Sequence, residues 1–316
     1  MNLYGLDTQI AAFRAAISGE RMHHAWLLAG PRGVGKASFA DFAARLLLDA
    51  CDDGSQGASL LNAGSHPDFK RLERLPNEKT GNLARNITVD QVRQLRVLFA
   101  TGTAISNRRV IIIDSIDDME RGAANALLKS LEEPPASTIF LAVSHQPGRL
   151  LPTIRSRCRT MMFAPLDHAA MTSVLGDQRP DLDPVKRSQL IASANGLPAT
   201  ALAYAELDIA SLDTALFELS QTGDLTNAVR SKLAHSLALK AALPRYEAFL
   251  SRAPAFIAEQ ARRAEGGNLD KALTAWSKAR ALSQIAIPQS LVAETVVFEM
   301  AGYVASLATA GRAAKA

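Results

Sequence analysis

Cysteines are scarce in this sequence, and their scarcity excludes two classes of protein. The 316 residues include two cysteines, Cys51 and Cys158. Two thiols can form neither a disulfide framework nor, by themselves, a four-thiolate zinc site. The simplest interpretation is a protein of the reducing cytoplasm whose fold rests on a packed core and not on cross-links.

Long apolar runs are also missing. No segment approaches the roughly 18 continuous apolar residues that would indicate a membrane span. Residues 1–10 show no basic stretch followed by an apolar run, so we expect no secretion signal. The sequence therefore predicts a cytoplasmic protein with no membrane partner.

Neither sign of charge dominates, and aromatic residues are few. Lys and Arg number 35 against 31 Asp and Glu, and aromatic residues make up 5% of the chain. A stand-alone nucleic-acid-binding module usually shows a basic stripe with stacking aromatics, so this composition disfavours that class. Weak contact with DNA phosphates inside an assembly remains open, and the basic residues considered for it are Arg93, Arg96 and Lys129.

Apolar patterning divides the chain into two parts. In the first half, short apolar runs alternate with helical patterns, which is typical of a parallel α/β sheet. After Pro165 no clear strand pattern remains, and most of the chain from 211 to 307 is helical in pattern, with breaks expected near four sites that include Pro254. The predicted strands are 25–29, 110–113, 139–143 and 160–163, the predicted surface loop is 52–64, and the predicted domains are 1–165, 166–209 and 210–316.

A glycine-rich turn follows the first predicted strand. Residues 30–38 read GPRGVGKAS, and a helical pattern comes next. Strand, glycine-rich turn and helix form the context that a phosphate-binding P-loop requires. Gly30, Gly33 and Gly35 would turn backbone N–H groups toward phosphate oxygens at a helix N-terminus, and Lys36 would reach the β and γ phosphates. The alternative is a glycine-rich turn with no such role.

Residues that this kind of site needs for hydrolysis are missing. Lys36 is followed by Ala37, where a Ser or Thr hydroxyl would hold Mg²⁺. The strand over 110–113 ends in Asp114, which matches a Walker B carboxylate, but Ser115 follows in place of a Glu that would polarise the attacking water. Asp114 could instead simply close a strand. We expect no required cofactor, while weak ATP or ADP binding stays open.

Three further segments carry a family resemblance. They are residues 125–135 (NALLKSLEEPP), 138–142 (TIFLA) and 150–158 (LLPTIRSRC). Together with the P-loop they resemble the clamp-loader family of AAA+ proteins, strongly up to about residue 165 and by architecture beyond it. The resemblance implies an α/β P-loop AAA+ domain with a parallel sheet, a small helical lid and a C-terminal all-helical oligomerisation (collar) domain. Degenerate ATP motifs beside an intact Ser-Arg-Cys triplet are similar to those of bacterial delta-prime subunits.

The resemblance implies roles for three residues. In that family the arginine of the triplet projects into the ATP site of the neighbouring subunit, and Arg157 is the matching residue. A planar, permanently charged guanidinium suits a γ-phosphoryl oxygen, although pairing with a local carboxylate is the alternative. Ser144 matches the sensor 1 position. Ala199 stands where the sensor 2 arginine would be, so a second phosphate contact is missing.

The resemblance also implies cofactors, partners and a function. Many members carry a four-cysteine zinc module before a His-Pro-Asp segment; here residues 66–68 keep that segment, but the preceding loop holds only Cys51, so we expect no zinc. The implied partners are gamma/tau-type and delta-type subunits, primer-template DNA and the sliding clamp. The implied function is a non-hydrolysing subunit of the DNA polymerase III clamp loader in DNA replication. The alternative is an active AAA+ motor subunit or a related helicase loader, which ATP turnover by the isolated chain would distinguish.

Overall fold

Five strands form one parallel sheet in the order β2-β3-β4-β1-β5. The computed structural model of the protein describes residues 2–19, 22–76 and 83–308. Side chains such as Ile111 and Ile112 are buried on opposite faces, as a sheet covered on both sides requires. The predicted α/β class is confirmed. The strands are β1 (Ala25–Ala29), β2 (Phe69–Glu73), β3 (Arg109–Asp114), β4 (Thr138–Ser144) and β5 (Arg159–Met162).

Helices cover both faces of this sheet. One apolar core joins Phe13 and Phe39 to strand residues such as Ile112, and the other joins Leu127 to residues such as Ile111. Alternate residues of each strand therefore enter different cores. The helices of this part are α1 (Asp7–Ser18), α2 (Lys36–Leu47), α3 (Gln56–Asn62), α4 (Val89–Phe99), α5 (Arg121–Glu132), α6 (Pro152–Arg155), α7 (His168–Gln178), α8 (Pro184–Ser193) and α9 (Pro198–Ala205).

The chain separates into two compact units, 1–201 and 202–316. Within the described part of the second unit, the regular structure after α9 is helical, which confirms the all-helical C-terminal region. The division into three domains stays a prediction. The remaining helices are α10 (Ile209–Thr222), α11 (Ala228–Ala238), α12 (Leu243–Ala261), α13 (Gly266–Ala286) and α14 (Ala293–Ala305).

Two local expectations are wrong. Part of the segment 52–64 is not a loop but helix α3, which begins after Ser55 because that side chain accepts a hydrogen bond from the N–H of Ala58 at 3.1 Å. Helix α12 does not break at Pro254. Proline in a helix costs about 3 kcal/mol, and the burial of Phe249 and Ile257 on this helix offsets that cost.

The edge strand β2 is an element that the sequence patterns missed. Its sequence FKRLE has one fully buried residue, Leu72. Because β2 lies at the edge of the sheet and four of its five residues are at least partly exposed, it lacks the continuous apolar run that marks β3. Its place beside β3 matters for the site described next.

Candidate functional site

The turn between β1 and α2 forms the predicted glycine cradle. Gly30, Gly33 and Gly35 have φ of +157°, +84° and +106°. A Cβ atom on Gly30 would lie 2.3 Å from the carbonyl oxygen of Phe163, so a larger residue would force the backbone to move. The conformation of this turn therefore depends on glycine in the way that a P-loop does.

Lys36 is buried at the start of α2. Its Nζ donates hydrogen bonds to the carbonyl oxygens of Gly30 at 2.8 Å and Pro31 at 2.6 Å. Burial lowers the pKa of Lys36 to about 8, although the carboxylates of Asp117 and Asp114 act in the opposite direction. The lysine that would contact phosphates therefore donates its hydrogen bonds to carbonyl oxygens of its own turn.

The predicted Walker B carboxylate has an internal cation as its partner. Asp114 ends β3, and its Oδ2 lies 3.2 Å from Nη1 of Arg71 on β2. Nη2 of Arg71 also contacts Asp41 on α2. Arg71 was not among the sequence candidates, because its strand was not recognised. Its only signal is that it lies three residues after the His-Pro-Asp segment.

Ser115 lies beside this ion pair and is almost fully buried. Its Oγ has no hydrogen-bond partner among the described residues. A serine hydroxyl is a poor base. Together with Ala37, which offers only a methyl group, it leaves the sheet edge without the hydroxyl and carboxylate that a magnesium-dependent hydrolysis site uses.

Ser144 and Asp117 form a second polar cluster at this edge. Ser144 Oγ donates to Asp117 Oδ1 at 3.0 Å. The same carboxylate accepts the N–H of His145 at 2.5 Å and of Gln146 at 3.2 Å. The serine at the sensor 1 position is therefore held by Asp117, a partner that the sequence patterns do not identify.

Ala199 lies directly against the glycine cradle. Its N–H donates to the carbonyl oxygen of Gly33 at 3.1 Å. A Cβ atom on Gly33 would lie 3.2 Å from the Ala199 methyl group. The position matched to the sensor 2 arginine is thus close to the cradle, but its side chain has no charge to offer a phosphate.

Arg157 lies at the end of the sheet where β1 begins, opposite the end that carries the glycine cradle. It precedes β5, whose first residue, Arg159, pairs with Trp26 near the start of β1, whereas the cradle follows the end of β1. Its guanidinium is partly exposed, lies 2.7 Å from Glu132 and donates to the carbonyl oxygen of Thr153 at 2.9 Å. The local carboxylate pairing left open by the sequence is present.

The remaining candidates have structural surroundings. Burial raises the pKa of Cys158 to about 11, so the thiol is a poor nucleophile. Asp68 accepts N–H groups from residues 104–106 at 2.8 to 2.9 Å. Cys51 is exposed, and no group of three or more His, Cys, Asp or Glu suited to a metal occurs among the described residues. No helix in the described part of the chain is long and apolar enough to cross a membrane.

The same segment of the chain matches a known family. A family model described as DNA polymerase III, delta subunit matches residues 5–167, which include the cradle, Asp114 and Arg157. The chain belongs to this family. The resemblance drawn from the motifs is thereby confirmed.

Similar proteins carry related names. The DNA polymerase III subunit delta' of Pseudomonas aeruginosa is 42% identical over 200 residues, or 60% of this chain and 58% of that protein. The delta' subunit of Bacillus subtilis is 31% identical over 200 residues, or 61% and 57%. The gamma/tau subunit of Mycobacterium tuberculosis is 33% identical over 179 residues, or 54% and 29%. The matches to the delta' proteins thus span a little over half of their length.

A solved structure adds a more distant likeness. The DNA polymerase III gamma subunit-related protein of Thermotoga maritima covers 95% of this chain and 98% of its own, with 16% identity and a TM-score of 0.48.

Proposed function

We propose that this chain is a non-hydrolysing clamp-loader subunit that presents Arg157 to the ATP site of a neighbouring subunit during DNA replication. The neighbours would be a gamma/tau-type ATPase and a delta-type subunit, acting with the sliding clamp and primer-template DNA in the cytoplasm. The observation that carries the proposal is the position of Arg157, which lies near the start of β1, whereas the chain's own cradle follows the end of β1.

The length of the sheet separates the two positions. β1 has five residues and spans about 16 Å at about 3.3 Å per residue. Lys36 lies beyond its end, and Arg157 lies near its start. A guanidinium at that distance is too far to act on phosphates in the chain's own cradle. It can act only on a phosphate that another subunit supplies.

The pair with Glu132 is compatible with this role. The side chains of Arg157 and Glu132 are 33% and 48% exposed, and an ion pair with that much solvent contributes about 0–1 kcal/mol. A γ-phosphate carries more charge than one carboxylate and can compete for the same N–H groups. Exchange of Glu132 for phosphate would therefore require little energy.

The chain's own site supports a non-hydrolysing role. Ala37 lacks a metal ligand, Ser115 lacks the carboxylate that polarises water, and Ala199 lacks a charge. The glycine cradle is retained, so weak ATP or ADP binding is part of the proposal, while no cofactor and no zinc are required. These features favour this function over an active motor subunit.

A groove between α4 and α5 is the proposed contact with DNA. Arg93, Arg96 and Lys129, the three basic residues considered from the sequence, line one cavity of about 370 Å³. Arg93 also pairs with Asp90. Clustered basic side chains bind phosphates without reading base sequence. Replacing all three with Gln should weaken DNA binding by the complex and reduce its salt dependence.

The test of the proposed function is a reconstituted complex. R157A should assemble normally, because the partly exposed ion pair with Glu132 that it removes contributes only about 0–1 kcal/mol, yet it should lower clamp-stimulated ATP hydrolysis. R157K should restore it only in part, since an ammonium lacks the planar fork. R155A, two residues away, is the matched control and should behave as wild type. An unaltered rate for R157A in an intact complex would refute the proposal.

A further inference from the structure

Three charged side chains meet beside the glycine cradle without belonging to its loop. Arg71 on β2 contacts Asp114 at the end of β3 and Asp41 on α2. Their side chains are partly buried, with exposed fractions of 23% for Arg71, 25% for Asp114 and 40% for Asp41. The guanidinium therefore bridges two carboxylates through two different nitrogens.

The position of this bridge matters because of what Asp114 would otherwise do. In a P-loop ATPase the carboxylate at the end of this strand and the hydroxyl after the P-loop lysine hold Mg²⁺ together. Here the hydroxyl is replaced by the methyl group of Ala37, and the Asp114 carboxylate forms a salt bridge with Arg71. The residues present do not fit magnesium.

Electrostatics strengthens the misfit. Arg71 carries a permanent charge that no ordinary pH removes, and Lys36 lies close enough to Asp114 for the carboxylate to act on the pKa of the lysine. A divalent cation at Asp114 would face both positive groups. It would also have to displace the guanidinium of Arg71 from its charge-assisted hydrogen bond with Asp114.

We propose that Arg71 takes the place of the divalent cation in this chain, so that the Asp114 carboxylate is permanently paired with a positive charge and the end of the strands beside the cradle binds no Mg²⁺. Arg71 also joins α2 to the sheet through Asp41. An anion that binds the cradle would then do so without a metal ion.

Manganese is the probe for this proposal. Binding of Mn²⁺ to the full chain is measured by electron paramagnetic resonance, in which only the free ion gives the sharp signal. Wild type and D114N should bind Mn²⁺ equally, because wild type has no Mn²⁺ site at Asp114. R71A removes the guanidinium and leaves two carboxylates, and it should bind one Mn²⁺ per chain with a Kd of about 10⁻⁴ to 10⁻³ M, as weak oxygen-ligand cation sites do.

Two variants separate charge from general disturbance. R71K keeps a positive charge at the same position and should exclude Mn²⁺ as wild type does. R71A/D114N removes one of the two carboxylates and should weaken Mn²⁺ binding at least about tenfold relative to R71A. Mn²⁺ should also raise the thermal unfolding midpoint of R71A and leave that of the double variant unchanged, because an ion that binds only the folded state stabilises it.

Two results would overturn the proposal. One is a stoichiometric Mn²⁺ site in wild type that D114N removes, and this comparison decides the matter even if R71A does not fold. The other is a cooperatively folded R71A that binds no Mn²⁺ at millimolar concentration. Both measurements use the isolated chain, so they are independent of whether Arg157 serves a neighbouring subunit.

Discussion

Replacing Lys36 with methionine should change how the stability of the N-terminal unit depends on pH. Lys36 is buried, and burial lowers its pKa to about 8 from its usual value of 10.5. Between those two pH values the unfolded chain binds the proton more strongly than the folded chain does. The free energy of unfolding must therefore rise with pH in this window.

The magnitude follows from the width of the window. Between the folded pKa and about pH 9.5 lie about 1.5 pH units, each worth about 1.4 kcal/mol, so wild type should gain about 2 kcal/mol from this group alone. Below about pH 8 Lys36 is charged in both states and contributes no slope. In K36M the group is absent. The free energy of unfolding of wild type minus that of K36M should therefore increase by about 2 kcal/mol from pH 7 to pH 9.5.

The assay is urea unfolding at both pH values, followed by the fluorescence of Trp26, which is buried in the first unit. A W276F background removes the signal of the second unit. Other titrating groups cancel in the difference between wild type and K36M. K129M, a replacement in the partly exposed groove, is the control and should show no such growth. If the difference in free energy of unfolding between wild type and K36M is the same at both pH values within about 0.5 kcal/mol, the lowered pKa of the buried Lys36 is contradicted.

Three further predictions concern the turn, the His-Pro-Asp segment and the second unit. G30A should lower the free energy of unfolding by more than about 3 kcal/mol, because its Cβ would lie 2.3 Å from the Phe163 oxygen, whereas G148A, with open space around it, should be nearly neutral in the same urea titration. D68N should cost about 2 kcal/mol at neutral pH, because three N–H groups lose a charged acceptor. Burial alone would raise the pKa of Asp68, but these bonds lower it, so the loss should fade as pH falls through the folded pKa; a pH-independent loss would be evidence against this cause. A chain ending at Leu207, which keeps α9 complete, should lose assembly with the partner subunits, because the part it lacks exposes large apolar side chains that suit an interface. Full-affinity co-purification of the shortened chain would refute this assignment. These side chains are Phe217, Leu225, Leu239, Leu243, Leu273, Ile285, Ile287, Leu291 and Val292.

Local motifs carried most of what the sequence could predict. The cradle was predictable because its glycines, lysine and flanking strand are contiguous in the chain, and β1, β3 and β4 were predictable because buried strands have continuous apolar runs. The triplet alone singled out Arg157, and the role of this arginine stays a prediction. Its partner Glu132 lies in a segment that the sequence also singled out, but only the packing of α5 against α6, just before Arg157, brings the two side chains together.

The features that were missed depend on contacts between distant segments. Arg71 reaches Asp114 across 43 positions in the sequence, and its edge strand has a weak apolar pattern. Asp117 reaches Ser144 across 27 positions. When an acidic residue lies near the end of a strand, the sequence does not show which N–H or O–H groups will donate hydrogen bonds to it. Both contacts follow from the order of strands in the sheet, which no local pattern encodes.

The most direct test of the trans-acting role is complementation of an ATPase that lacks its own fingers. A gamma/tau-type subunit whose own triplet arginine is replaced by alanine is mixed with the delta-type subunit and this chain, so that Arg157 is the only finger present. ATP hydrolysis in the presence of clamp and primed DNA is then compared for wild type and R157A at equal complex concentration. An arginine supplied in trans is worth about 10³-fold or more at its site, so wild type should restore turnover at one site and R157A should not. Equal turnover with both chains would contradict the account.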